Sequence, residues 1–304
     1  MRSGSEPSWR LRHLQWKNTT DMSFASKPVM QSEEFRLIRE FVAEEFGLII
    51  DQNRLNYISS RLLPHLEELG LESFLDYYTS LKFSPRSSRE QQKFISTITN
   101  NETYFFREDA QLRVLSENIV PLLKGKKQHG GKKEIRIYSA GCSSGEEVYT
   151  IAMTLLESGL FLWDWDILVT GIDLDREMIA RAEEGLYSGR AFQSTPQQYL
   201  EKYFTRKGDG FQVKESLRRI TRFEEANLLR LDHLLANEPA DVIFCRNVFI
   251  YFSDDTVRKI VDSFAKLLQP EGFLFLGHSE SLSRITSRYQ PIRHTSAIVY
   301  RKRD

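Results

Sequence analysis

The chain has little cysteine, no excess of either charge and no long apolar run. Cysteine occurs only twice in 304 residues, at Cys142 in a glycine turn and Cys245 in an apolar run. There is no CxxC pair and no Cys/His cluster, so neither a metal site nor a disulfide framework is supported. The two thiols read as reduced and buried, as in a cytoplasmic protein. Lys plus Arg and Asp plus Glu are equal at 42 each, a net charge of zero. A dedicated nucleic-acid binder carries a basic excess, so nucleic acid is not an expected partner. No stretch approaches the roughly 20 apolar residues of a membrane span, which argues against insertion. Residues 1–30 lack the apolar block of a secretion signal and, despite Trp9 and Trp16, read as a disordered tail.

What is present follows two patterns. From Ser32 to Ile98 the apolar residues recur at helical spacing, clearest in Leu55, Ile58, Leu62, Leu66 and Leu69. Asp51 suits an N-cap and Gly70 a stop, and Pro64 predicts a bend or split near Leu63. Phe74, Leu75, Tyr78 and Leu81 predict a third helix, and Phe94, Ile95 and Ile98 a fourth. Residues 31–99 are therefore expected to form a small all-helical domain. Residues 100–133 are expected as a linker and connecting helix that ends in a Lys- and Gly-rich loop at 124–133.

From 134 to 304 strands alternate with helices. Strands are expected at 135–140, 167–172, 220–226, 242–245, 273–277 and 297–300. Helices are expected at 146–158, 176–184 and 253–268, the last stopped by Gln269-Pro270-Glu271-Gly272. This alternation implies a parallel, doubly wound, Rossmann-like α/β sheet with its ligand at the carboxyl ends of the strands. The polar stretch from Tyr187 to Arg219 is expected as an inserted β-subdomain, a helix plus a hairpin turning at Lys207-Gly208-Asp209-Gly210.

The most informative stretch is Ser139-Ala140-Gly141-Cys142-Ser143-Ser144-Gly145-Glu146-Glu147. Strand, glycine turn and helix start, in that order, make a nucleotide-type cofactor site. The two glutamates then choose the cofactor. A diphosphate at a helix N-terminus needs bare N–H groups. Two carboxylates in that turn repel it, which excludes a dinucleotide-dependent dehydrogenase. They suit a cofactor carrying positive charge, such as the ammonium and sulfonium of S-adenosylmethionine (SAM), and so point to a methyltransferase. Asp173, ending Thr170-Gly171-Ile172-Asp173, stands where ribose hydroxyls are accepted, while Asp175 suits a helix N-cap. Cys245-Arg246-Asn247 places polar groups directly after a buried run. Gly277-His278-Ser279-Glu280 ends another strand, and no Ser/His/Asp order supports a hydrolase.

Five blocks in order resemble the CheR-type chemotaxis receptor methyltransferase family. They are Asn-Glu-Thr-Tyr-Phe-Phe-Arg-Glu from Asn101, Ser-Ala-Gly-Cys-Ser-Ser-Gly-Glu-Glu-Val-Tyr-Thr-Ile-Ala-Met from Ser139, Gly-Ile-Asp-Leu-Asp from Gly171, Cys-Arg-Asn-Val-Phe-Ile-Tyr-Phe from Cys245 and Gly-His-Ser-Glu from Gly277. The resemblance covers about residues 32 to 302. It implies a helical domain, then a SAM-binding methyltransferase domain carrying a small β-subdomain. It also implies methyl transfer from SAM to glutamate side chains on the cytoplasmic signalling helices of methyl-accepting chemoreceptors. The products are glutamyl methyl esters and S-adenosylhomocysteine (SAH). Two other readings keep the cofactor: a SAM-dependent enzyme with a different acceptor, or a SAM-binding module without turnover.

By the same resemblance, Asn101, Thr103 and Arg107 meet the cofactor from the interdomain side, and Gly141 belongs to its turn. Glu147, ahead of Glu146, contacts the cofactor; Asp173 holds the ribose, and Asn227 and Leu228 lie by the adenine. Cys245, Arg246 and Asn247 line the pocket under the methionine part. Arg107 and Tyr251 are the catalytic candidates, the first orienting a carboxylate and the second shaping the pocket at the methyl. A glutamate with a pKa of about 4.3 is ionised near neutrality and needs no general base, so alignment and water exclusion should carry the rate. The family meets its receptors with a basic helix, matched here by Arg54, Arg61 and His65 and offset by Glu67 and Glu68. The hairpin at 206–211 is short, and no receptor-tail peptide is expected on it.

Overall fold

The computed structural model describes residues 27–85, 88–128, 132–161, 164–236, 239–295 and 297–303. Most of the expected tail, with Trp9 and Trp16, lies outside these residues, although Met30 is already packed in the helical core.

The helical unit comprises α1 (Ser32–Phe46), α2 (Leu55–Leu69), α3 (Phe74–Phe83) and α4 (Arg89–Ile98). Each turns a buried stripe inward, among them Ile38 and Val42, Ile58 and Leu62, Phe74 and Tyr77, and Phe94 and Ile95. Asp51 caps a short 3-10 turn that leads into α2, accepting from Asn53 N, and Gly70 ends α2 in the left-handed conformation. Pro64 does not split this helix. Ile58, Leu62 and Leu66 on both sides of it are fully buried, and their packing offsets the one hydrogen bond a proline removes. In α3 the inward face is Phe74, Tyr77 and Leu81, whereas the expected Leu75 is exposed.

A connecting helical run follows as α5 (Asp109–Val114), a π-turn at Leu115–Ile119 and α6 (Val120–Gln128). The loop expected at 124–133 begins later, because Lys124–Gln128 are helical. Lys127 anchors this end, donating to Glu134 O and pairing at 2.7 Å with the buried Asp241.

The remaining elements are β1 (Glu134–Ala140), α7 (Glu146–Glu157), β2 (Asp166–Asp173), α8 (Arg176–Glu184), β3 (Leu186–Tyr187), α9 (Gln197–Tyr203), β4 (Phe204–Lys207), β5 (Gly210–Val213), α10 (Glu215–Arg218), β6 (Thr221–Glu225), β7 (Ala240–Cys245), α11 (Asp254–Leu267), β8 (Leu268–Leu276), β9 (Tyr289–Arg293) and β10 (Ile298–Lys302). Seven strands form one sheet in the order β6-β2-β1-β7-β8-β10-β9, and β3, β5 and β4 form a small separate sheet. The pairs from β6 to β8 are parallel, and β10 runs antiparallel to both its neighbours. All six residues of β7 are buried, as a central parallel strand requires.

Two strand expectations need correction. Gln269–Gly272 does not stop α11 short of the next strand, because β8 starts at Leu268. Ala240 pairs with Leu268 and Val242 with Phe273, so the four residues bulge out opposite Asp241. β9 carries no strong strand signal, since Pro291 interrupts a polar stretch, yet it pairs in full with β10 at the sheet edge.

The topology places the ligand site. From β1 the chain builds outward to β6 and then returns to β7 on the other side. The crevice between β1 and β7, past Ala140 and Cys245, is where the strand order reverses and where such sheets hold ligands.

Candidate active site

A cavity of about 290 Å³ opens at that crevice. The strand ends form its floor. Leu48, Ile49, Ile50 and Arg54, with Ile98 to Tyr104 and Arg107, form its roof, and Tyr251 reaches the roof from the turn after β7.

The floor begins with the glycine turn after β1. Gly141 has φ +74°, and a Cβ there would meet Val248 Cγ2 at 2.5 Å, so the two loops close on each other only around a glycine. Asp173, at the end of β2, accepts from Ser143 N at 2.7 Å and Asp175 N at 2.9 Å. Burial pushes its carboxyl up to about 6 against these two amides. Glu147 in the first turn of α7 accepts from Ser139 Oγ at 2.7 Å and from Arg246 Nη1 at 3.2 Å. Burial raises its pKa, and Arg246 and Ser139 offset part of the rise. Glu147 faces the cavity. Glu146 does not line it; it is buried beside Ser144 Oγ, with its pKa also raised by burial.

Arg246 joins floor to roof. Its side chain is 3% exposed, and Nη2 donates to Arg107 O at 2.5 Å and lies 3.3 Å from Glu108 Oε2. That last contact is an ion pair without hydrogen-bond alignment, since Glu108 Oε2 has no hydrogen-bond partner. Burial raises the Glu108 carboxyl, but His278, Arg246 and Asn247 together outweigh it and hold the pKa below the ordinary value.

Asn247 has φ +59°, and the turn it begins is clamped by Glu280. This carboxylate accepts from Asn247 N, Val248 N and Phe249 N at 3.0, 2.9 and 2.7 Å, and from Gly277 N at 2.6 Å. Glu280 thereby sets the position of Tyr251. The sequence shows it only as the acid three residues after a glycine at a strand end, and nothing there announces the clamp.

The roof is tied down by Asp175. It caps α8 through Glu177 N and Met178 N, as expected, and also accepts from Ser96 Oγ at 2.6 Å and Asn101 Nδ2 at 2.9 Å. Asn101, Thr103 and Arg107 all line the cavity, as do Asn227, Leu228, Asn247 and Tyr251. Arg107 Nη1 donates to Glu102 O, and Tyr251 Oη accepts from Asn100 Nδ2 at 3.2 Å.

Two expectations fail here. Cys245 is not part of the cavity wall: strand alternation turns its fully buried side chain into the core beside Ile243 and α11. His65 is not on a basic outer face. It points inward, 3.0 Å from Tyr77 Oη, 3.1 Å from Glu90 and 3.0 Å from Thr97 Oγ1.

Comparisons with known proteins fit this arrangement. A family model described as "CheR methyltransferase, SAM binding domain" matches residues 101–298, and one described as "CheR methyltransferase, all-alpha domain" matches 33–99. The chain belongs to the CheR methyltransferase family. It is a SAM-dependent methyltransferase. Chemotaxis protein methyltransferase 2 of Vibrio cholerae is 38% identical to this CheR-family chain over 275 residues, 90% of this chain and 94% of that protein. Chemotaxis protein methyltransferase of Escherichia coli is 32% identical over 274 residues, 88% and 91% of the two chains. Among solved structures, magnesium protoporphyrin IX methyltransferase from Synechocystis with bound SAM aligns at 13% identity and TM-score 0.35, over 79% of this chain and 94% of that one. The acceptor set of this CheR-family site suits SAM: the carboxylates of Asp173 and Glu147 line the cavity floor, and neither is locked in an ion pair that uses all its acceptor sites.

Proposed function

We propose that this CheR-family enzyme methylates glutamate side chains on the signalling helices of chemoreceptors, giving glutamyl methyl esters. One observation carries the reading. The floor carboxylates Asp173 and Glu147 share a single cavity with an arginine without an ion pair among the described residues, Arg107, and a tyrosine, Tyr251. SAM supplies a methyl group on a positively charged sulfur. On this reading Glu147 takes its ammonium, Asp173 its ribose hydroxyls, and Asn227 and Leu228 its adenine. An ammonium against Glu147 offsets the burial that raises that carboxyl.

The acceptor enters from the roof side as a carboxylate. It is already ionised, and among the described residues no histidine lines the cavity to act as a base. Arg107 orients the acceptor by a charge-assisted hydrogen bond, while Tyr251 and the roof exclude the water that stabilises separated charges. Positioning of this kind is worth up to roughly 7–11 kcal/mol. The reading places no receptor-tail peptide on the β4–β5 hairpin, whose strands are four residues each.

The test is transfer of labelled methyl from SAM to a purified receptor cytoplasmic fragment, scored as methanol released by base. Arg107→Ala should lower turnover about 10- to 100-fold, the worth of a hydrogen bond to a charged group. A base-stable product would exclude a glutamyl ester, and unchanged turnover would remove Arg107 from the mechanism.

A further inference from the structure

The mouth of the cavity is bordered by two isoleucines that the fold leaves exposed. Ile49 is 51% exposed and Ile250 56%, and both line the cavity. They come from distant parts of the chain, one from the loop between α1 and α2, the other from the turn after β7. The backbone brings them together: Ile49 N donates to Tyr251 O at 2.8 Å, and Leu48 makes an antiparallel bridge with Phe252. The pair is thus fixed beside Tyr251, with half of its surface left to water.

Next to this apolar pair stand fixed positive charges. On α2 and the turn before it, Arg54 and Arg61 stack on Tyr57, 4.5 and 5.5 Å from its ring centre, and Arg61 Nη1 donates to Tyr57 Oη at 2.7 Å. Arg54 lines the same cavity, and Arg61 lines the adjoining cleft toward α8. Neither is ion-paired among the described residues. Arg54 and Arg61 are seven positions apart, about 10 Å along the helix. An apolar pair beside two held cations is complementary to a surface on which apolar and acidic groups alternate one turn apart. A helix provides that surface, with an apolar side chain three or four residues from a glutamate on the same face.

We propose that Ile49 and Ile250 form an apolar lip that seats an apolar side chain of an acidic amphipathic helix, three or four residues from the glutamate being methylated. The seated side chain closes the mouth over Tyr251, so water leaves as the acceptor enters. Arg54 and Arg61 meet the acids that flank it. This inference rests on the reading of the acceptor as a glutamate on a signalling helix.

The experiment is steady-state methylation of a purified receptor cytoplasmic fragment by the full chain and by Ile49→Ser and Ile250→Ser, with SAH affinity of each measured by calorimetry. Each serine variant should raise KM for the receptor about tenfold, the lower end of what burying an isoleucine contributes. The SAH Kd should move less than threefold, and Ile250→Leu should restore KM. An unchanged KM overturns the lip. So does a KM change matched by the SAH Kd, because the isoleucines would then be cofactor wall. Base-labile methyl transfer by the wild type tests the acceptor separately: its absence removes the glutamate reading and the lip's occupant with it.

Discussion

The floor and the roof of the cavity are built by opposite rules. On the floor Asp173 and Arg246 are buried and Glu147 is 18% exposed, and each carries at least two partners at defined distances. At the roof the Arg107 side chain makes one hydrogen bond to a neighbouring carbonyl, the Tyr251 hydroxyl one to Asn100, and Ile49 is half in water. Groups that hold a cofactor through every cycle can be built into the core. Groups that greet a protein acceptor must stay reachable, and so cannot be part of it. Substitutions on the floor should therefore register in stability, and those at the roof in turnover or in KM for the acceptor, with stability unchanged.

The strongest challenge to that contrast is Arg246→Met. It leaves Glu147 and Glu108, 18% and 20% exposed, without their cation, and the cost should approach the about 3–5 kcal/mol of breaking a fully buried pair. Chemical denaturation should show the loss. A change below about 1 kcal/mol would mean that the floor is as loosely held as the roof.

A somewhat smaller effect belongs to Asp173. Its carboxyl is raised in the folded state from 3.8 to about 6. Between those values the folded chain holds a proton that the unfolded chain has released, so stability falls as pH rises through the window. The full difference is about 3 kcal/mol, complete above the folded pKa. Denaturation midpoints of Asp173→Asn from pH 4 to 7 should lose up to about 1.4 kcal/mol per pH unit of that slope. A wild-type slope in the variant would place the titration elsewhere, with Glu147 the next candidate.

The smallest effect is expected at the roof. Tyr251→Phe removes the bond from Asn100 and little else, so stability should stay within about 0.5 kcal/mol, while turnover drops a few-fold. Loss of stability beyond 1 kcal/mol would move Tyr251 into the core's company and blur the contrast.

The floor is legible in local sequence pattern, whereas Asn101, Thr103, Arg107 and Tyr251 come only from the family resemblance, for a physical reason. Glycine at 141, paired glutamates at 146 and 147 and an acid at the end of β2 are constrained by a turn and a strand end a few residues long, and local pattern reveals them. Arg246 is visible as a polar residue after a buried run, but Glu147 lies 99 positions away and Glu108 farther still, beyond any local pattern. Glu280 stood in a recognised block, and only the folded loops show it gathering amides from two of them. Cys245 follows from the resemblance of its block although strand alternation turns it into the core, and His65 from that of its helix although it faces the neighbouring helices. Ile49 and Ile250 carry no signal at all until their two loops meet.

Asp175 serves two masters, and that has a kinetic meaning. The same carboxylate caps α8 and receives Ser96 and Asn101 from the helical unit side. Swinging the helical unit away from the sheet removes the donors from Ser96 and Asn101 and leaves the two amides of α8, which belong to the same turn as the carboxylate. The helix keeps its cap whether the cavity is open or shut, and water takes the places that the roof gives up. Opening therefore need not unwind α8, and the amides of Glu177 and Met178 should exchange their hydrogens no faster when the roof lifts.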